Sequence, residues 1–118
     1  VTSKKVLSQA EIHLESGLHL AAWKMLDTLP LSARMTESSL DLHLRILIAE
    51  KAWQKVEILA DFITGLYPEN AFAWYSQAQS HCQRNHIAEA KSCLAKACQL
   101  QPSKLDLAMT DPLIIGVW

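Results

Sequence analysis

At 118 residues the chain is long enough for one domain with its own core, and a formal net charge of −1 argues against a nucleic-acid or anionic-membrane partner held by bulk electrostatics. Half of the residues are apolar and 19% are charged, which excludes a disordered chain; three glycines and four prolines among abundant Leu, Ala, Gln, Glu and Lys favour an all-α fold with short turns. No apolar run approaches the roughly 20 residues that span a bilayer, so membrane insertion is not expected.

Taken in chain order, the first predicted helix covers residues 3–16, with Ala10 on its packing stripe. Glu11 and Glu15 fall where a secretory leader would be apolar, so no targeting segment is expected at the start. SQAE at 8–11 matches a capping box but lies inside the periodic stretch, which makes the match accidental. Gly17 marks a turn into a second helix over 18–30, carrying Ala22, Leu26 and Leu29, which Pro30 ends early. The third helix, 37–50, places Asp41 and Arg45 one turn apart as an ordinary helical ion pair, worth a few tenths of a kcal/mol. Lys51 sits at the next turn, and a fourth helix over 52–66 holds Trp53 and Val56 ahead of Pro68.

The fifth helix, 71–84, repeats Ala71, Trp74, Ala78 and His81 at spacings of three and four, and the sixth, 87–100, repeats Ile87, Ala90, Leu94 and Ala97. Small residues at Ala10, Ala22, Ala78, Ala90 and Ala97 let paired helices approach closely. After Pro102 comes SKLDLAMTDPLIIGVW. Asp111 before Pro112 reads as an N-cap with proline at the first helical position, so LIIGVW becomes a short final helix. That helix either covers the last pair's apolar face through Leu113, Ile114, Val117 and Trp118 or continues past the end of this sequence.

Several of these positions recur at one interval. The step from Pro68 to Pro102 also separates Gly17, Lys51 and Asn85 at expected turns, and it separates Ala22, Val56 and Ala90. A period of this length, about 34 residues, belongs to helix–turn–helix arrays. AFAWYSQAQSHCQRNHIAEAKSCLAKACQLQP resembles a tetratricopeptide repeat: Trp74, Ala90, Leu94, Ala97 and Pro102 fill the signature directly, while Gln77, Ala78 and His81 replace its Leu, Gly and Tyr. SSLDLHLRILIAEKAWQKVEILADFITGLYP looks like a degenerate copy with Leu40, Trp53, Val56 and Pro68 in place and a large Leu44 where a small residue is usual; the first copy keeps Ala10, Gly17, Ala22, Leu26 and Leu29 but has Arg34 in place of the closing proline. The resemblance implies a right-handed α-solenoid of three antiparallel helix pairs plus a short C-terminal capping helix. It implies one domain over 1–118, with repeats at about 3–36, 37–70 and 71–104 and a cap over 105–118.

The stretch SHCQRNH brings His81, Cys82 and His86 close in sequence, but Asn85 interrupts the helical spacing between them. His81 stands where the repeat places a packing Tyr, and His13 stands two periods earlier at the equivalent place. A packing role is therefore expected, with no metal ligand set and no catalytic thiol. Cys93 and Cys98 diverge around their helix, and three cysteines without a C-x-x-C motif read as reduced thiols of a cytoplasmic protein. With no phosphate loop and no paired carboxylates, no enzyme and no cofactor are expected.

The expected function is a non-enzymatic protein–protein interaction module that binds a peptide or helix in a concave groove. The resemblance places Leu7 and Glu11, Asp41 and Arg45, and Phe72, Tyr75 and Gln79 on that groove. Phe72 and Tyr75 serve either as anchors for a partner or as a shield for the joint between the second and third repeats. The clamp by which some tetratricopeptide domains hold acidic chaperone tails is not expected, since Leu7, Glu11, Leu42, Phe72 and Ser76 occupy its positions. Two rivals stand beside this reading. The layout is similar to small bacterial type III secretion chaperones that sequester an export subunit. Alternatively, the chain is a structural piece of a longer protein, self-associating through Leu113, Ile114, Val117 and Trp118.

Overall fold

Three short polar side chains, one repeat period apart from one another, each start a helix. Thr2 accepts the Lys5 amide at 3.2 Å, Thr36 accepts the Ser39 amide at 3.4 Å, and Asn70 accepts the Ala73 amide at 2.9 Å. Each is an N-cap that satisfies an amide with no partner inside the helix. In the computed structural model, which describes residues 2–118, they open α1 (Ser3–Glu15), α4 (Glu37–Ala49) and α6 (Ala71–Gln83). The other elements are α2 (His19–Asp27), α3 (Leu31–Arg34), α5 (Trp53–Leu66), α7 (Ile87–Leu100), α8 (Ser103–Thr110) and a 3₁₀ turn over Ile115–Val117. The described residues are all-α and contain no strand.

The turns keep the same interval. Gly17, Lys51 and Asn85 take positive φ of 79°, 57° and 63°. Each ends a helix with its amide bonded back three residues, at 3.0 Å to Leu14, 2.9 Å to Ile48 and 3.1 Å to Cys82. At the first and third turns the next amide reaches five residues back, from Leu18 to His13 at 2.8 Å and from His86 to His81 at 2.7 Å. This is the Schellman pattern, in which a left-handed residue closes the helix. Glycine and asparagine adopt that conformation at low cost, whereas Lys51 carries a Cβ penalty of about 1 kcal/mol.

The chain divides into two compact units at the Lys51 turn, inside the second predicted repeat. In the N-terminal unit, Val6, Ala10, Ala22, Leu26, Leu29, Leu42 and Ile46 form a buried cluster, with Trp23 and Met25 packed against it. The small Ala10 and Ala22 allow α1 and α2 to approach, and α4 lies against both. α2 stops at Asp27, short of the expected end at 30, and Pro30 caps the single turn of α3.

In the C-terminal unit, α6 packs between α5 and α7. Tyr75, Ala78, Ala90, Leu94, Ala97, Ala108, Ile114 and Val117 form its cluster. Ser80, fully buried on α6, donates to the Trp53 carbonyl of α5 at 2.8 Å. Covering the end of this unit falls to α8 and the 3₁₀ turn, which contact α7. The sequence expectation of a final helix in LIIGVW is corrected here: helix forms instead in SKLDLAMT, and LIIGVW makes only the 3₁₀ turn. Asp111 is the physical reason, because its carboxylate serves long-range donors as well as its own backbone.

Candidate functional site

The predicted groove residues separate by unit. On the N-terminal unit, Leu7 and Glu11 lie on α1, and Asp41 and Arg45 lie on α4. Glu11 is exposed and the other three are half-buried. The structure joins the two helices along this face: the Arg45 guanidinium donates to Glu11 Oε2 at 2.7 Å and stands 3.9 Å from Glu15 Oε1. Glu11 and Arg45 are 34 residues apart, so the pair links one helical position to the same position in the next period. This face carries the half-buried apolar side chain of Leu7 and a partly exposed charge pair that joins the two helices.

On the C-terminal unit the predicted surface is closed. Phe72 is half-buried, but Tyr75 is 3% exposed and Gln79 is 9% exposed. The expectation that Tyr75 and Gln79 line an open groove is corrected by the C-terminal segment lying over them. Asp111 Oδ2 accepts the Tyr75 hydroxyl at 2.7 Å and the Gln79 amide at 2.9 Å, while Asp111 Oδ1 accepts the Leu113 amide at 2.9 Å. Lys104 from α8 places its ammonium 5.5 Å from the Tyr75 ring centre. Burial, then the Asp111 hydrogen bond and charge, hold the Tyr75 phenol far above its usual range. Gln83 extends the attachment by donating to the Leu113 carbonyl at 2.8 Å.

The same segment alters the expected self-association surface. Ile114 and Val117 are buried in the chain's own core, and Leu113 is half-buried. Only Trp118 stands out at 61% exposure, its indole donating to the Ala108 carbonyl at 3.2 Å. With Leu105 and Met109 it lines an open apolar concavity of about 340 Å³.

The histidine turn has a geometry that linear spacing hides. The Schellman turn at Asn85 brings positions 81 and 86 together, and the two imidazoles stand 5.8 Å apart, centre to centre. The helical spacing does break at Asn85, as expected, and the turn itself brings the two rings together. Glu57 on α5 joins them: Glu57, His81 and His86 each offer a donor atom, all within 4.8 Å of one another. His81 Nδ1 lies 3.8 Å from Glu57 Oε1, too far for a hydrogen bond, and is buried without a hydrogen-bond partner among the described residues. Arg84 grips the other oxygen, Glu57 Oε2. Cys82 is not in the group; its sulfur is turned toward Gly116.

The remaining thiols are poor nucleophiles. Burial, reinforced by Asp61, Glu57 and Glu89, pushes Cys93 up to about 11, and burial also raises Cys98. All three cysteines are free. No helix among the described residues is long and apolar enough to cross a membrane. Comparison with known proteins finds no matching family model, no matching curated protein and no matching solved structure.

Proposed function

We propose that this chain is a non-enzymatic protein-binding module, built as three tetratricopeptide-type helix pairs in a right-handed α-solenoid, that receives a peptide or helix on the α1–α4 face. The observation that carries the reading is a single repeat register kept by the backbone. Caps at Thr2, Thr36 and Asn70 and left-handed turns at Gly17, Lys51 and Asn85 all keep it. Repeats of that length serve chiefly as recognition surfaces.

Among the predicted contact residues, Leu7, Glu11, Asp41 and Arg45 retain exposure, whereas Tyr75 and Gln79 are covered. Leu7 supplies an apolar anchor, and the Glu11–Arg45 pair with Asp41 sets polar register. A cytoplasmic setting suits the three free thiols and belongs to the same proposal.

The test is selection from a displayed library of helical and extended peptides, followed by titration of the best binder. Leu7→Ala combined with Arg45→Ala is expected to weaken binding at least tenfold with circular dichroism unchanged. Binders of full affinity for that double variant would place recognition elsewhere and overturn the assignment.

A further inference from the structure

We propose that Glu57, His81 and His86 form a binding site for one divalent transition ion of the zinc class. Two imidazole nitrogens and one carboxylate oxygen are ligands that suit such an ion, and they converge within 4.8 Å. Closing that spacing to coordination distance takes side-chain rotation, because the backbone already sets the geometry.

The turn is what builds the site. In a Schellman motif a residue in the last turn of the helix meets the residue just past the left-handed one, usually as an apolar contact. The first turn pairs His13 with Leu18 in that arrangement, through the bond from the Leu18 amide to the His13 carbonyl. The third turn substitutes His86 for the apolar partner, so two imidazoles face each other at the mouth of the turn. An apolar contact would stabilise the turn without a ligand; the His81–His86 pair leaves a buried ring nitrogen with no hydrogen-bond partner among the described residues.

Glu57 completes the set from a different helix and is itself held. Arg84 occupies Oε2, leaving Oε1 directed at His81. Outer-shell hydrogen bonding of this kind orients ligating carboxylates. His86 is exposed and Glu57 half-buried, so solvent reaches the site and water fills the remaining coordination positions. Bound metal would tie α5 to the α6–α7 turn and act as a staple on the C-terminal unit.

Untagged, chelator-stripped protein titrated calorimetrically with zinc chloride tests this. One zinc per chain is expected, with a dissociation constant in the micromolar range or tighter. His86→Ala is expected to weaken binding at least tenfold, His81→Ala with His86→Ala to abolish it, and Cys82→Ala to leave it unchanged. His86 is exposed, so His86→Ala keeps the fold, checked by circular dichroism. Saturating zinc should also raise the unfolding midpoint of the native protein by several degrees and not that of the double variant. No stoichiometric binding at millimolar zinc, or binding that survives the double substitution, would overturn the proposal.

Discussion

Position 45 in the N-terminal unit and position 79 in the C-terminal unit are one period apart, and their side chains meet different partners. Arg45 reaches sideways to Glu11 on α1 and stays half-exposed. Gln79 is taken by Asp111 and buried. Equivalent helical positions thus carry a partly exposed cross-helix ion pair in one unit and a buried intramolecular contact in the other. The difference arises further along the chain, in a segment that supplies one carboxylate, Asp111, to Tyr75 and Gln79. Position along a helix determines which face a side chain joins; what covers that face depends on sequence far away.

The largest expected effect comes from removing that carboxylate. Asp111→Ala strips the acceptor from the buried Tyr75 hydroxyl, from Gln79 and from the Leu113 amide together. Hydrogen bonds to a charged group contribute about 1.5–3 kcal/mol each, and an orphaned buried donor adds its desolvation cost. Because the bonds share one group, they do not add, and a loss of about 3 kcal/mol is expected in denaturant unfolding. Hydrogen exchange should localise the loss to residues 52–118. Equal loss of protection in residues 2–51 would dissolve the contrast between the units.

Gly116→Ala probes the same closure more gently. A Cβ there would lie 3.1 Å from Cys82 Sγ and 3.6 Å from Ile87 Cδ1, so the Cys82 side chain or the 3₁₀ turn must give by a few tenths of an ångström. Overpacking of this size costs about 1 kcal/mol or somewhat more. Cys82→Ala made in the same chain should recover most of it, and a double-mutant cycle measures the coupling. Absence of coupling would mean that the segment does not rest on Cys82.

The long helices were legible in the sequence because period, caps and turns agreed. The six predicted spans match the observed helices to within one residue at every end except the second, which closes at Asp27 ahead of Pro30. α8 is hidden from the sequence because it is short and its N-cap, Pro102, offers no side-chain cap, while the Asp111–Pro112 pair gives a stronger local signal. That signal was misleading, since Tyr75 and Gln79 claim the carboxylate from a helix far upstream in the chain. The Glu57–His81–His86 cluster is hidden from the sequence for a different reason. Linear spacing treats Asn85 as a break, whereas a left-handed turn folds positions 81 and 86 onto each other. Applying Schellman geometry to the residues around Asn85 finds the His81–His86 pair, but Glu57 enters only through the packing of α5 on α6.

The buried titratable groups sharpen the comparison further. Burial holds the His43 ring below its usual pKa, with Arg34 acting in the same direction; a hydrogen bond to the Ser39 carbonyl and the charge of Asp27 oppose the shift. A histidine that resists protonation when folded stabilises the chain fully above its unfolded pKa near 6.5, and that contribution is lost as pH falls below it. Exchange protection in residues 2–51 should therefore decline, as pH falls below about 6.5, more steeply in the native protein than in His43→Gln. Tyr75, displaced upward, stays neutral throughout that window. Matching slopes in the two proteins would remove His43 as the origin.

The smallest expected effect tests whether the Glu11–Arg45 pair is structural at all. Arg45 touches Glu11 and Glu15 across α1 and α4, but its side chain is 36% exposed and those of its partners are 49% and 63% exposed. At that exposure water already solvates both charges, and ordering two long side chains offsets much of the Coulomb gain. Arg45→Ala should change unfolding free energy by about 0.5 kcal/mol or less, with the effect shrinking further in molar salt. A cost well above the range of exposed ion pairs, about 2 kcal/mol or more, would mean that the pair holds α1 to α4 as Asp111 holds the C-terminal segment. A near-neutral result, beside a large one for Asp111→Ala, leaves Glu11 and Arg45 available to a partner. That separation between a face the fold needs and a face it does not is the property a recognition surface requires.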